Sequence, residues 1–509
     1  MSNKSAARRR DFLKTSAVAA SLLAGSPAAA RSDDQAPADS GNPGRRYVIR
    51  GGAVMSMDPN VGDFEVADVL VEGKKIVAVR PRIDAGGAKV IDARGRIVMP
   101  GFVDTHHHQF ETAERSFLPN GLLQNDGSGS PSASPNYTEH VLRGFAKVYR
   151  PQDVYINELF AGLSQLDAGV TTVLDVSQIH HSPEHSDAAV QALMDTGRRA
   201  TFGYFESDGR EGARYPEDAR RIRDQWFSSD DQLVTMVMGG ELHLGKEVYT
   251  RAWTIGRELG LKVVAHAVGA FGMRPTLDEV AQGTGGLQVG PDNLFIHMTG
   301  MSDETWKKIR DAGAQVSLAI PIEMVMRHGT PPILKMRELG MEPSLSSDVE
   351  TTMAADPFTL MRGAMTMQRM LVNQLVLDQG DPVPPNHWPT PAEGTPSLLT
   401  VQEVLRYATS NGAEHLGLGD RTGTLTPGKH ADIVLLDTTA LNVAPLNNVP
   451  GAVVSLMDRT NVETVIVAGK VRKWRGRLLD ADLDRLRREL EASRDYLFKT
   501  YGMRKDLFA

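Results

Sequence analysis

Eight times between Val98 and Asp348 a short run of β-branched and aliphatic residues gives way to a longer stretch whose apolar residues recur every three or four positions. The runs at 97–105, 171–175, 199–205, 233–239, 262–267, 294–298, 315–320 and 343–348 read as strands, and intervening segments such as 153–168 and 246–259 read as amphipathic helices. Eight strand–helix units in roughly 250 residues match the length of a closed (β/α)8 barrel. A doubly wound parallel sheet is the rival α/β architecture. It needs fewer units and a glycine-rich phosphate turn, and no GxGxxG opens a helix in this chain.

The flanks carry a different pattern. Short strands broken by glycine occupy 47–57, 66–72 and 75–79, and a matching set lies at 431–437, 462–470 and 471–476. Neither set makes a domain alone, so the expectation is a small composite β-sandwich, 46–97 plus 420–478, beside a distorted (β/α)8 TIM barrel at 98–419. Residues 120–136 form a Gly/Ser/Pro-rich insertion after the first barrel strand, read equally as a substrate loop or as plain surface. In 479–509 a terminal helix is expected, with Leu483, Leu486, Leu490 and Leu497 on one face and Asp484 four residues from Arg488.

Composition narrows the chemistry. With no Cys among 509 residues, disulfides, zinc–thiolate sites, iron–sulfur clusters and thiol nucleophiles are excluded together, so any bound metal must be held by His and carboxylates. A net charge of −7 argues against nucleic-acid or anionic-membrane surfaces and for a small-molecule partner. Arg8, Arg9, Arg10, Asp11, Phe12, Leu13 and Lys14 precede a short Ala/Ser/Leu stretch and Ala28–Ala29–Ala30, the pattern of a twin-arginine export signal over 1–30. That reading implies a periplasmic or secreted bacterial protein with a flexible leader at 31–45. Cleavage after Ala30 leaves a charge of about −11, and no later segment is apolar enough to span a membrane.

The informative residues end strands. In VMPGFVDTHHH, His106 and His108 are two apart in an extended segment and point to one side, while His107 points to the other. His266 closes KVVAHA, His297 closes LFIHM and Asp348 closes PSLSSD; the gaps of 160, 31 and 51 residues fit about four, one and two βα units. A buried strand that ends in His is costly unless the imidazole is paired or ligated. A structural role explains any one of them; a shared site explains all five.

These motifs, with TVQEVLRYATSNGAEHLGLGDRTGTLTPGKHADIVLLD and VETVIVAGKVRKWRG, resemble the amidohydrolase superfamily over about residues 46–476, and within it the cytosine, guanine and S-adenosylhomocysteine deaminases and triazine hydrolases. The resemblance implies a metal-dependent hydrolase of carbon–nitrogen bonds other than peptide bonds, acting on a small cyclic molecule. It assigns one divalent ion, zinc with Fe or Mn as alternatives, to His106, His108, His266 and Asp348. Asp348 also becomes the base, and His297 faces the substrate and the activated water, as oxyanion donor or as orienter of the nucleophile. LVTMVMG in the fourth strand has no Lys or Glu, which argues against a binuclear, lysine-bridged type. Family members are often dimers or larger, so a homo-oligomer is compatible.

One departure stands out: deaminases of this branch carry a Glu three residues after the fifth-strand His, where this chain has Gly269. Either another group protonates the leaving atom, or the bond needs less help, as in an activated amide, lactone, carbamate or halide, with a C–O bond of a lactone, ester or carbamate as the alternative target. Substitutes expected at the barrel mouth are Glu241 and His243 after strand four, and His180, His181, Glu184 and His185 after strand two, with Glu323 and Glu350 weaker. These histidines and Glu241 are also the expected substrate contacts. A catalytically retired barrel used for binding is the alternative of a different class.

Overall fold

A computed structural model describes residues 35–508 except 131–133, 208–212, 230, 284–285 and 381–382. The expected export signal lies outside the described residues. The compact unit that carries the fold spans Asp39–Ala509.

Both chain ends build one mixed sheet. Its strands are β1 (Arg46–Val54), β2 (Phe64–Glu72), β3 (Lys75–Arg80), β4 (Lys89–Asp92) and β5 (Arg96–Pro100), joined at the far end of the chain by β14 (Ile433–Asp437), β15 (Val462–Val467), β16 (Lys470–Trp474) and β17 (Arg477–Leu478). The order is β17-β16-β15-β14-β5-β1-β2-β3, with β4 beside β1, so the composite domain is one hydrogen-bonded sheet of nine strands. Part of the leader belongs to it: the Ser40 hydroxyl accepts from Val471 N at 3.0 Å, and Gly73 N donates to Arg45 O at 2.8 Å. The sheet also takes residues up to Pro100, three more than the sequence boundary at 97.

Eight parallel strands follow, β6 (Phe102–His107), β7 (Val170–Ser177), β8 (Arg199–Tyr204), β9 (Val234–Gly239), β10 (Val263–Val268), β11 (Asn293–Thr299), β12 (Gln315–Leu318) and β13 (Ser344–Leu345), paired in sequence order. β7, β8 and β11 are buried at every position, as expected of parallel strands covered on both faces. Helices return the chain between strands, and Pro151, Pro183 and Pro357 open three of them at the first turn, where a missing N–H costs nothing. The single run expected at 97–105 is two strands, divided at Gly101 between sheet and barrel. A Cβ at Gly101 would lie 2.2 Å from the Thr171 side chain, so this close passage requires glycine. Arg199 and Asp432 lock the two parts together through a buried ion pair of 2.9 Å.

The barrel closes at its catalytic end. β13 is only two residues long, because Ser346–Asp348 leave it to meet β6: Asp348 N donates to His106 O and His108 N to Asp348 O, each at 2.9 Å. Beneath this closure Asp104 accepts from Ser347 N at 3.1 Å, His106 N at 3.2 Å and Gln165 Nε2 at 2.6 Å, tying the first strand to the eighth. Thr105, Ser317, Ser344 and Ser346 fill the adjoining layer with mutually bonded hydroxyls.

The terminal helix is Leu483–Tyr501. Leu486 and Leu497 are buried, but Leu483 is exposed and Asp484 pairs with Arg487 at 2.9 Å instead of Arg488. Phe498 stacks edge-on to Phe117 and tilts against Phe145, bracing the segment that follows β6.

Candidate active site

The five strand-end side chains meet. His106 Nε2 lies 2.9 Å from His108 Nε2 and 3.1 Å from His266 Nε2, and Asp348 Oδ1 is 3.6 Å from the Nε2 atoms of both His106 and His108. His297 Nε2 sits 3.6 Å from Asp348 Oδ2. His107, as its alternate position requires, turns away, with Nε2 3.7 Å from Glu350.

Two carboxylates set the tautomers. His266 Nδ1 pairs with Glu241 Oε1 at 2.8 Å and His297 Nδ1 with Glu323 Oε1 at 3.0 Å, so each ring directs an Nε2 lone pair into the site. Burial and the neighbouring imidazoles push His106 well below its usual range, and burial and His266 do the same for His108, keeping both neutral. Burial raises Asp348 to about 7, against the opposing pull of His266. His297, Met298 and Asp348 all hold left-handed backbone (φ 71°, 54° and 63°), strain placed at the site by the surrounding sheet.

These donors fit a metal ion. A tetrahedral zinc with bonds of about 2.0–2.1 Å holds its ligand atoms about 3.3 Å apart, close to the 2.9, 3.1 and 3.6 Å that separate His106 Nε2 from the donor atoms of His108, His266 and Asp348. Three converging nitrogens with one carboxylate oxygen in a buried pocket have no partner among themselves that satisfies every lone pair. Two donor groups, His106–His108–His266 and His106–His297–Asp348, keep their ligand atoms within 4.8 Å of one another.

His108, His266, His297 and Asp348 floor a pocket whose walls are largely apolar: Leu123, Leu142, Val268, Phe271, Met326 and Val349 are among them. Gln178, Glu241, His243 and His328 add polar atoms, and among the described residues no Lys or Arg lines it. Leu123 lies within the 120–136 insertion and Tyr137 directly follows it, so the insertion contributes to the pocket wall.

Of the expected substrate contacts, Glu241 and His243 reach this pocket and His180, His181 and His185 do not. His180 is buried with Nδ1 on Ser186 Oγ (2.9 Å) and Nε2 on Ser177 O (2.8 Å); His181 Nε2 meets Ala146 O at 2.8 Å, and His185 Nε2 meets Tyr149 O at 3.2 Å. Their role is to fasten the loop after β7. Glu184 is held by the Ser182 hydroxyl, and Glu350 accepts from Arg115 at 2.6 Å. Glu323 serves His297 as described. Gln178, Glu206, His328 and Tyr137 were not singled out by the sequence, although Glu206 lies two residues past the end of β8.

Gly269 is a built feature. A Cβ there would stand 2.9 Å from Thr299 O and 3.1 Å from Gly300 Cα, so no side chain fits without moving backbone. Across the pocket His243 lies between two carboxylates, Nδ1 3.4 Å from Glu241 Oε2 and Nε2 3.4 Å from Glu206 Oε1. Burial lowers its pKa, but the hydrogen-bonded carboxylates of Glu206 and Glu241 outweigh this and raise it to about 10.

The chain belongs to the amidohydrolase family, whose model matches residues 97–472. It is 25% identical over 445 residues to a 5'-deoxyadenosine deaminase from Methanosarcina mazei, covering 83% of this chain and 92% of that one. An adenosine deaminase from Xanthomonas campestris with bound zinc shares the fold at TM-score 0.73 and 22% identity, over 89% of this chain and 98% of that one. So does the atrazine chlorohydrolase from Arthrobacter aurescens complexed with zinc, at TM-score 0.70 and 21% identity, over 88% of this chain and all of the other (100%).

Proposed function

We propose that the protein is a metal-dependent hydrolase that cleaves a C–N bond of a small cyclic molecule: an amide, a cyclic amide or a ring amino group. The observation that carries this reading is the meeting of three imidazole Nε2 atoms and Asp348 at the floor of an apolar pocket, with His297 beside them. His106, His108, His266 and Asp348 would hold one divalent ion, which we take to be zinc. Such an ion brings the pKa of water toward about 7, so a nucleophile is available at neutral pH.

The chain's own groups do the rest. Asp348 accepts the proton of the attacking water. Because the Nδ1–H of His297 is spent on Glu323, its Nε2 offers a lone pair; of its two expected roles, orienting the water fits better than donating to an oxyanion. Glu241 fixes the His266 ring. Replacing Glu241 by Gln removes an anionic acceptor behind a ligand, and is expected to weaken zinc affinity about 10- to 100-fold, measured by competition with a chromophoric chelator.

His243 stands in for the acid absent at Gly269. As an imidazolium beside the pocket it can give a proton to a leaving nitrogen and regain one from solvent. The His243→Gln variant is expected to slow ammonia release about 100-fold while slowing chloride release from the chloro form of the same ring less than tenfold, because chloride leaves without a proton. Equal slowing of both would remove His243 from this role.

The reading is tested with zinc-loaded protein against 5'-deoxyadenosine, cytosine, an amino- and a chlorotriazine, hydantoin and a lactone, assayed for ammonia, chloride and ring opening. Ammonia release marks a deaminase; ring opening marks an amide or ester hydrolase. Turnover of none, by protein that purifies without stoichiometric metal, would support the binding-only barrel.

A further inference from the structure

His328 is a histidine in the pocket that the chemistry above leaves unused. It follows the short helix Ile320–Val325 after β12, is 5% exposed, and lines the pocket beside Met326. Neither ring nitrogen has a hydrogen-bond partner. Among the described lining residues it alone has every side-chain polar atom unpaired: the rings of His108, His243, His266 and His297, the Gln178 amide and the Tyr137 hydroxyl each engage a neighbour. Its ring stands edge-to-face on His297 at 4.7 Å, a contact that a phenyl ring would make equally well.

The backbone is arranged to put it there. Arg327 holds φ 60° and Gly329 φ 128°, and His328 N donates to Glu323 O at 3.1 Å. Arg327 itself is turned outward to pair with Asp126 of the insertion. An imidazole buried with both nitrogens unpaired is costly, and a strained turn that presents it to a cavity is retained where a ligand completes the pairing.

We infer that His328 reads the substrate, its ring N–H donating to an acceptor atom of a heterocycle, either a ring nitrogen or a carbonyl oxygen adjoining the scissile carbon. Burial lowers its pKa to about 3, so the ring is neutral and offers one donor and one acceptor. This inference rests on the hydrolase reading and names the substrate class of the same pocket.

The test uses zinc-loaded protein labelled with 15N in its histidines. Ring signals of His328, assigned by their loss in His328→Phe, are followed as 5'-deoxyadenosine, cytosine, atrazine and hydantoin are each added at millimolar concentration. At least one should move them. For a compound that is turned over, His328→Phe should raise KM about tenfold or more, with kcat changed less than threefold and zinc content unchanged, and His328→Gln should recover part of the loss through its amide N–H. His328 signals that stay still with all four compounds, or an unchanged KM in His328→Phe, would overturn the inference. Signals that move without turnover would leave it standing and remove the hydrolase reading instead.

Discussion

Asp348→Asn is expected to reduce kcat by about a thousandfold or more on any compound the wild type hydrolyses, within the range lost when a positioned acid–base group is removed. The change is nearly isosteric. An amide nitrogen or oxygen can still fill the space between His106, His108 and His297, and the backbone bonds that close the barrel, Asp348 N to His106 O and His108 N to Asp348 O, are untouched. What is lost is the carboxylate that takes the water proton and faces three imidazoles at 3.6 Å. With zinc in excess, so that the weakened site stays filled, thermal unfolding should therefore stay close to that of wild type while turnover collapses. Wild-type rates in the variant would remove Asp348 from the chemistry.

Stripping the metal with a chelator should have the second large effect, on stability as well as turnover. Three imidazoles and a carboxylate converge in a buried pocket, and an ion that binds this arrangement but not the unfolded chain stabilises the fold by mass action. At a free concentration a thousand times Kd that is worth about 4 kcal/mol. Adding zinc back to the stripped protein should raise the unfolding midpoint by several degrees, measured by calorimetry. A midpoint indifferent to zinc would mean that the donors do not take up the ion.

Period and spacing carried the architecture, because buried parallel strands and amphipathic helices leave repeating marks in a sequence. The strand-end residues His106, His108, His266, His297 and Asp348 were legible for the same reason: the barrel places successive strand ends around one mouth. The β5–β6 junction was not, since Gly101 separates two strands that share one aliphatic run. His180, His181 and His185 misled because chain order says that a loop lies near the mouth, not whether its polar atoms face inward. Ser177 O, three residues back from His180, and Ala146 O and Tyr149 O, brought close only by folding, captured them. His328 and Glu206 escaped notice in irregular segments without a period. The absence of an acid at position 269 was visible, but its cause, the backbone of Thr299 and Gly300 against Gly269, was not.

On the proposed reading one metal ion, held by strand-end histidines and Asp348, makes this barrel a hydrolase. The most direct measurement is a zinc titration of chelator-stripped protein, following turnover of a compound from the heterocycle panel. Turnover should be absent at the start, rise linearly with added zinc, and stop rising at one equivalent. Turnover that survives complete removal of metal, or stays absent throughout the titration while zinc binds, would contradict it.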